Sequence, residues 1–242
     1  MERGEYERLS NAEDRMWWFR GLHANLLSAL AEAGGTRHCR ILDAGCGTGG
    51  LLARLRAAYP EAIVVGLELD AEATRLAGAK SGATLCRGSV DRLPFAADAF
   101  DAILSADVLC HVGVDEEGAL GEFRRCLVPG GLLIVNLPAY PWLYSSHDIA
   151  VANARRYAKG ALHRQLAAAG FREIRLSYWN SLLFPLMLLR RLVWRRGGSE
   201  VTLLPAPLER GFAAALAVER RLRAWRLPLP FGGSILARAV KP

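Results

Sequence analysis

Residues 41–50 read Ile-Leu-Asp-Ala-Gly-Cys-Gly-Thr-Gly-Gly, an apolar run that gives way to a cluster of glycines. The apolar run predicts a buried strand, and the glycines predict a tight turn that opens a helix. Glycines at such a turn allow a ligand to approach main-chain atoms, because no Cβ stands in the way. Glu68 ends the next apolar run, where a carboxylate can accept hydrogen bonds from both hydroxyls of a ribose. This stretch therefore predicts an α/β fold with a nucleoside-binding turn.

The rest of the chain continues the alternation of strand and helix. Apolar, β-rich runs predict strands at residues 40–44, 62–67, 83–86, 100–105, 131–136, 171–178 and 234–240. Helical patterns lie between them, one opening at the N-cap Asp70 and one at about residues 115–127. Two more, at 182–196 and 208–226, separate the last two strands, and residues 13–33 form another ahead of the first strand. The alternation predicts a parallel sheet that is covered on both faces.

Composition and charge narrow the class of protein. The 242 residues are 52% hydrophobic and 23% charged, which suits an α/β domain with an insertion and excludes wholesale disorder. The net charge is +7, and from Ser181 onward there are eleven Lys and Arg but only three Asp and Glu, so the basic excess falls in the last quarter. The five cysteines have no metal-ligand spacing, and the charged first residues do not predict a signal peptide. We therefore expect a cytoplasmic protein without a metal.

The glycine turn is compatible with two kinds of cofactor. Residues 45–50 satisfy the GxGxxG pattern of dinucleotide-binding proteins, so an oxidoreductase with a nucleotide cofactor is an alternative. Asp43 distinguishes the two. A carboxylate two residues ahead of the turn would repel a pyrophosphate at the helix N-terminus, but it would attract the ammonium and sulfonium groups of S-adenosylmethionine. Asp43 therefore favours S-adenosylmethionine.

Four motifs, in this order, resemble those of the class I S-adenosylmethionine-dependent methyltransferases. They are Asp-Ala-Gly-Cys-Gly-Thr-Gly at 43–49, Glu68, Leu-Pro-Phe at 93–95 with the strand at 100–109, and Leu-Val-Pro-Gly-Gly-Leu-Leu-Ile at 127–134. The resemblance implies a Rossmann-like sheet of seven strands, mostly parallel with the last strand antiparallel. It also implies that S-adenosylmethionine is the cofactor, that S-adenosylhomocysteine is the product and that no metal is needed.

The same resemblance implies which residues contact the cofactor. They are Asp43, Gly45, Cys46, Gly47, Glu68, Leu69, Ser89, Val90, Ser105 and Ala106. The family usually has an Asp where this chain has Ser89, so the contact to the adenine is open to Asp91 or to backbone groups.

The run Trp17-Trp18-Phe19-Arg20 resembles a branch of this family that has a Trp-Trp-Phe segment in a lid helix. The resemblance implies a lid formed by residues 1–38. In that lid Trp18 would exclude water from the site and Arg20 would pair with the cofactor carboxylate. The alternative is that the aromatic rings only fasten the helix to the sheet.

Candidate groups for the chemistry are expected at the carboxyl ends of the fourth and fifth strands, because open α/β sheets bind ligands there. His111 follows the fourth strand, and His147 and Asp148 lie beyond the fifth. Imidazole titrates near neutral pH, so either histidine is a candidate base, with Asp148 as a candidate partner. The alternative for both histidines is a structural role. Candidate substrate-binding residues in the following segment are Tyr140, Tyr144, Arg156 and Tyr157.

The chain is expected to divide into a lid, a core and an insertion. The core is predicted at 39–180 and 231–242, and a helical cap insertion at 181–230. In this fold the sixth strand ends on the ligand side and the seventh returns antiparallel, so the insertion would begin and end there. Its apolar helix with Arg190, Arg191, Arg195 and Arg196 suits a lipid-like acceptor or contact with an anionic membrane surface. The alternative is a structural cap with a solvated basic face.

These features predict a methyltransferase that acts on a small-molecule or lipid-like acceptor at oxygen, in the cytoplasm or at the membrane periphery. We expect no nucleic-acid partner, because the fourth strand lacks the Asn/Asp-Pro-Pro-aromatic motif of base-flipping enzymes and instead has Ser105-Ala106-Asp107-Val108. Two alternatives stay open at this point: the nucleotide-cofactor oxidoreductase, and a membrane or interaction module that binds the cofactor without turnover.

Overall fold

The computed structural model describes residues 3–34, 40–193, 203–225, 227 and 229–242. The strands within these ranges are β1 (Arg40–Ala44), β2 (Ile63–Glu68), β3 (Thr84–Arg87), β4 (Phe100–Ala106), β5 (Leu127–Pro138), β6 (Arg172–Trp179) and β7 (Ser234–Val240). The helices are α1 (Arg3–Glu13), α2 (Trp17–Glu32), α3 (Gly50–Ala58), α4 (Ala71–Ser81), α5 (Glu116–Cys126), α6 (Ser146–Ala150), α7 (Lys159–Ala168), α8 (Phe184–Val193) and α9 (Ala206–Ala224).

The strands of these described ranges form one sheet of seven, in the order β3-β2-β1-β4-β5-β7-β6. Neighbours from β3 to β5 pair in parallel, whereas β7 pairs antiparallel with both β5 and β6. The predicted fold class is therefore confirmed. The strand order reverses between β1 and β4, and in open α/β sheets ligands bind in the crevice at such a switch point.

A hydrophobic core fills each face of the sheet. One face is covered by α5 and α7, and the other by α2, α3 and α9. On α2, Leu22, Leu26 and Leu30 recur at intervals of four, so they share one face of the helix and are buried. Each such leucine stabilises the fold by about 2 kcal/mol relative to an exposed position.

The predicted N-terminal helix at 13–33 is wrong at its start, because two helices occupy this part of the chain. α1 ends at Glu13, and the backbone at Met16 is extended before α2 begins at Trp17. The Trp17 N–H donates to the carboxylate of Glu209, which lies 192 residues away. This tertiary contact fixes where α2 begins, so local pattern could not locate the break.

Other predicted boundaries differ less. Asp70 caps α4 as predicted, since its Oδ1 accepts hydrogen bonds from the N–H groups of Glu72 and Ala73. β5 is longer than predicted because pairing with β4 begins at Leu127. α9 begins and ends two residues before the predicted helix at 208–226. Of the four arginines predicted to accompany the apolar helix of the insertion, Arg195 and Arg196 lie outside the described residues. The side chains of Arg190 and Arg191 are not described either.

α2 and α9 pack closely against each other. A Cβ on Gly21 would overlap the side chain of Leu216, and the rings of Trp17 and Phe212 meet edge to face with centroids 5.3 Å apart. The predicted lid and insertion segments thus share an interface; their division into separate units remains a prediction. In the described parts of the chain, no helix combines the length and apolar character needed to cross a bilayer.

Candidate cofactor and acceptor site

Three residues with left-handed backbone angles follow the carboxyl ends of strands that end at the same edge of the sheet. They are Asp107 after β4 (φ 56°), Tyr140 after β5 (φ 64°) and Asn180 after β6 (φ 59°). Such a conformation costs about 1 kcal/mol or more for a residue with a Cβ, and strained residues of this kind cluster at functional sites. This edge is also where the strand order places a ligand crevice.

The glycine turn between β1 and α3 is held tightly at one end and is open at the other. A Cβ on Gly45 would overlap Val108, and the N–H groups of Gly45 and Cys46 both donate to the carbonyl of Leu67. In contrast, no heavy atom of the described residues lies within 4 Å of where a Cβ on Gly47 would stand. A ligand can therefore approach the main chain at Gly47.

Glu68 ends β2 and faces this turn. Its Oε2 accepts the N–H of Gly47 at 2.9 Å, and its Oε1 accepts the N–H groups of Leu69 and Asp70 at 2.8 and 3.0 Å. The side chain is held in place by the backbone and is only half-buried. These three bonds use both lone pairs of Oε1 and one of Oε2, so Oε2 can still accept a hydrogen bond from a ribose hydroxyl.

Asp43 lies beneath the turn with one oxygen unsatisfied. The residue is buried at 1% exposure, and its Oδ2 has no hydrogen-bond partner among the described residues. Burial, followed by the negative charges of Glu13 and Glu68, raises the pKa of this carboxyl well above its ordinary value. A cationic ligand would satisfy the oxygen, so Asp43, Glu68 and the open space at Gly47 together fit S-adenosylmethionine.

Glu13 occupies the N-terminus of α3, the position where a dinucleotide would place its pyrophosphate. Its Oε2 accepts hydrogen bonds from the Thr48 hydroxyl at 2.7 Å and from the Gly50 N–H at 3.1 Å. A carboxylate fixed there repels phosphate and takes up the donors that would bind it. This argues against the dinucleotide alternative.

Comparisons with known proteins agree with this geometry. A family model described as a methyltransferase domain matches residues 42–135. A ubiquinone/menaquinone biosynthesis C-methyltransferase of Syntrophotalea carbinolica is 36% identical over 197 residues, which cover 69% of this chain and 79% of that protein. The chain belongs to the class I S-adenosylmethionine-dependent methyltransferases. Its cofactor is S-adenosylmethionine. Membership of this enzyme family excludes the nucleotide-cofactor oxidoreductase and the module that binds the cofactor without turnover.

Two further comparisons describe the breadth of this resemblance. A malonyl-[acyl-carrier protein] O-methyltransferase of Geobacter sulfurreducens is 30% identical over 162 residues, which cover 60% of each chain. The crystal structure of an S-adenosylmethionine-dependent methyltransferase of Thermotoga maritima has a TM-score of 0.62 at 20% identity, covering 99% of this chain and 95% of that one. The likeness to the second protein shows the fold.

The other residues proposed to contact the cofactor differ in burial and in their contacts. The Ser105 hydroxyl donates to the carbonyl of Ala44 at 2.9 Å and so ties β4 to β1 beside the turn. Leu69 is exposed next to Glu68, whereas Val90 is buried. Arg20 is exposed at the first turn of α2. The cofactor contacts assigned to these residues stay predictions, as do those at Cys46, Ser89 and Ala106.

Trp18, a residue of the predicted lid, lies next to a buried residue of the sheet. Its ring lies 6.1 Å from that of Trp179, a buried residue at the end of β6. The Trp179 Nε1 donates to Asn136 Oδ1 at 2.7 Å, and Asn136 Nδ2 donates to Asp107 Oδ1 at 3.0 Å. A continuous chain of contacts therefore runs from the Trp-Trp-Phe segment to the carboxylate of Asp107.

Asp107 was missed by the sequence analysis. Burial raises its pKa to about 7, although the hydrogen bond from Asn136 and the charge of Arg156 act in the opposite direction. A carboxylate with such a pKa accepts a proton near neutral pH. The available signal was position alone, because Asp107 comes directly after the predicted fourth strand.

The predicted catalytic residues lie in different surroundings. His111 is partly buried, its Nδ1 lies 3.3 Å from the carbonyl of Ala152, and burial lowers its pKa. His147 is exposed on α6. Asp148, however, is fully buried and pairs with Arg156 at 2.8 Å while it caps α6 through the N–H and hydroxyl of Ser145. Its contacts are those of a residue that positions the segment after β5.

The predicted substrate-binding residues are mostly engaged within the protein. Arg156 is buried and also donates to the carbonyl of Ala139 at 3.0 Å, and the buried Tyr157 hydroxyl donates to the carbonyl of Leu109. The Tyr144 hydroxyl donates to the carbonyl of Asn153. Tyr140 differs, because its ring is half-buried at the edge of the site and stacks on Tyr178 with centroids 5.4 Å apart.

Tyr140 belongs to an aromatic wall at the carboxyl edge. The wall consists of Tyr140, Trp142, Tyr178, Phe184 and Phe231, whose neighbouring ring centroids lie 5.4–5.8 Å apart. Trp142 is 65% exposed and Phe231 is 42% exposed, so the wall presents apolar surface beside the site. Its members come from β6, the segment after β5, α8 and the segment before β7, so no local pattern in the sequence indicated it.

Proposed function

We propose that this methyltransferase transfers the methyl group of S-adenosylmethionine to an oxygen of a lipid-like acceptor. The observation that carries the proposal is an aromatic wall at the same carboxyl edge of the sheet as Asp107. An apolar wall binds an acceptor with substantial apolar surface, and a carboxylate that titrates near neutral pH serves an acceptor that must lose a proton.

The chain's own residues have two tasks in such a reaction. Bound S-adenosylmethionine supplies a methyl group that is already activated on a sulfonium. The wall would hold the acceptor in line with it, since positioning accounts for much of the rate of a displacement. As the O–CH₃ bond forms and the S–CH₃ bond breaks, Asp107 would take the proton from the acceptor hydroxyl, leaving S-adenosylhomocysteine and the methylated product.

The relatives support a methyl acceptor of this class without fixing its atom. One is named for ubiquinone and menaquinone biosynthesis and methylates carbon, and the other is named for an acyl-carrier protein and methylates oxygen. Asp107 decides our preference for oxygen, because its raised pKa fits proton removal from a hydroxyl.

A membrane surface is the proposed source of the acceptor. On α8, Leu186 and Leu189 are each at least 50% exposed, and their spacing of three places them on one side of the helix. Leu182, in the turn before α8, is exposed as well. In the sequence they are followed by the arginines at 190, 191, 195 and 196. Apolar side chains with adjacent cations are typical of a segment that contacts an anionic bilayer.

The acceptor is tested with methyl-labelled S-adenosylmethionine, purified enzyme and host extract, followed by separation of organic and aqueous phases. We expect enzyme-dependent label in the organic phase, released by hydriodic acid as volatile methyl iodide because the methyl is bound to oxygen. Asp107→Asn should reduce incorporation at least tenfold at neutral pH. Asp98→Asn is the matched control, since Asp98 has the same left-handed angle but pairs with Lys241.

Label confined to the aqueous phase would contradict a lipid-like acceptor, and label resistant to hydriodic acid would indicate carbon. Membrane contact is tested by flotation with anionic vesicles. Replacing Leu186 and Leu189 with Ser should reduce binding, whereas Ile63→Ser should not, because Ile63 is equally exposed but begins β2 at the opposite edge of the sheet. An unmodified enzyme that does not float with these vesicles would refute the membrane proposal.

A further inference from the structure

A second glutamate, besides Glu68, holds the glycine turn of the cofactor site. Glu13 is the last residue of α1 and is 7% exposed. Its Oε2 accepts hydrogen bonds from the Thr48 hydroxyl at 2.7 Å, the Gly50 N–H at 3.1 Å and the Lys80 ammonium at 3.1 Å. The carboxylate therefore joins α1 to the turn, to the start of α3 and to α4.

The turn is thus held from two directions. Glu68 accepts the N–H of Gly47 from the β2 side, and Glu13 accepts from Thr48 and Gly50 on the α1 side. The sequence has glycine at position 50 where it is required, because a Cβ there would overlap the carboxyl group of Glu13. Three of the four residues from 47 to 50 therefore donate to one of two carboxylates, and this segment includes the open approach at Gly47.

The surroundings of Glu13 hold its side chain in place. Lys80 Nζ also lies 3.3 Å from Asp14 and donates to the carbonyl of Ser10, so the ammonium is fixed against the end of α1. His23 Nε2 lies 3.7 Å from Glu13 Oε1, and burial keeps this imidazole neutral at ordinary pH by lowering its pKa to about 3. The charge that faces Glu13 is therefore that of Lys80, together with the N-terminal dipole of α3.

We propose that Glu13 is a positioning residue for the cofactor, and that docking of α1 and binding at the glycine turn are thermodynamically coupled. When α1 is docked, Glu13 fixes Thr48 and Gly50, and the turn has the conformation that leaves Gly47 open. When α1 is not docked, the donors of the turn lose this partner and the turn can adopt other conformations. Coupling of this kind is reciprocal, so a ligand at the turn must also stabilise α1.

The test uses S-adenosylhomocysteine and needs no methyl acceptor, so it is independent of the proposed acceptor. Binding is measured by calorimetry for the parent enzyme, Glu13→Ala, Glu13→Gln and Asn25→Ala. Asn25 is the matched control because it is a buried polar residue of α2 that accepts from Arg223, away from the turn. Thermal unfolding of each variant shows how much stability was lost.

We expect Glu13→Ala to weaken binding at least tenfold, and Glu13→Gln to weaken it less, because the amide oxygen can still accept one of the hydrogen bonds. Asn25→Ala should bind within twofold of the parent at a similar loss of stability. Glu13→Gln also serves if the alanine variant fails to fold. Two outcomes would overturn the proposal. One is an equal loss of affinity in Glu13 and Asn25 variants that have equal stability. The other is unchanged affinity in both Glu13 variants.

Amide hydrogen exchange provides the reciprocal measurement. S-adenosylhomocysteine should slow amide exchange in α1 of the parent enzyme. The factor by which exchange slows should be at least as large as the factor by which Glu13→Ala weakens binding. The same ligand should have a much smaller effect on α1 of Glu13→Ala. Exchange in α1 that does not respond to the ligand in the parent enzyme would refute the coupling.

Discussion

Removal of the Glu68 side chain tests the proposed cofactor site most directly. The carboxylate accepts three backbone N–H groups at 2.8–3.0 Å, and in the proposed complex its remaining lone pair, on Oε2, accepts a ribose hydroxyl. A hydrogen bond to a charged group contributes about 1.5–3 kcal/mol, and the half-buried position of Glu68 favours the lower value. The ribose contact then contributes about 1.5 kcal/mol, so Glu68→Ala should weaken S-adenosylhomocysteine binding about tenfold.

A thermodynamic cycle separates the ribose contact from support of the turn. Calorimetry compares S-adenosylhomocysteine with its 2′-deoxy analogue on the parent enzyme and on Glu68→Ala. The parent should lose about tenfold in affinity when the hydroxyl is missing, and the variant should lose almost none. Glu122→Ala is the control, because Glu122 also accepts a backbone N–H, from Leu93, but lies outside the site.

Two results would refute this reasoning in different ways. Affinity of Glu68→Ala within twofold of the parent would show that Glu68 does not contact the ligand. If Glu68→Ala weakens the binding of both ligands by the same factor, Glu68 acts only through Gly47. The assignment of Glu68 to the ribose would then be wrong.

Three further predictions follow from individual residues. Gly47→Ala should cost roughly 1 kcal/mol of stability for its left-handed angle, because no neighbour blocks the Cβ, yet it should abolish cofactor binding by filling the approach; calorimetry and thermal unfolding of one sample measure both. Folding lowers the pKa of His23 from 6.5 to about 3. Between pH 6.5 and pH 3, this imidazole therefore binds a proton in the unfolded chain but not in the folded protein. Stability should therefore decrease from pH 6.5 towards pH 3 by on the order of 4 kcal/mol from this residue, and chemical denaturation of His23→Gln should show a correspondingly smaller slope. Cofactor binding should release a proton from Asp43, because a cation favours the carboxylate whose pKa is raised in the free protein; calorimetry in buffers of different ionisation enthalpy detects the release, and Asp43→Asn should eliminate it.

The sheet and the glycine turn were predictable because their signals are local. β1 and β7 begin and end at the predicted residues, and the other strands are displaced mainly at their ends. A run of apolar residues between turn signals specifies a buried strand wherever it occurs in the chain. The turn required only the glycines and Asp43, which lie within eight residues of one another.

The missed residues depend on contacts between distant parts of the chain. Glu13 lies 35 residues from Thr48, and Glu209 lies 192 residues from Trp17. A glutamate at the end of one helix gives no sign in the sequence that it will cap another. Their position after the fifth strand likewise indicated Asp148 and Arg156 as site residues, but it could not show that these two side chains pair with each other inside the protein.

The two helices of the insertion have different relations to the site. α9 uses two buried glutamates as caps for other segments: Glu209 accepts the first N–H of α2, and Glu219 accepts the N–H of Leu182 in the turn after β6. α9 therefore fixes both the start of α2, which carries Trp18, and the segment after β6 that begins with the strained Asn180. α8 instead contributes Phe184 to the aromatic wall and exposes its leucines. Substitutions that change the acceptor but preserve cofactor affinity are therefore expected on α8, because a change on α9 would displace the elements on which the cofactor site is built.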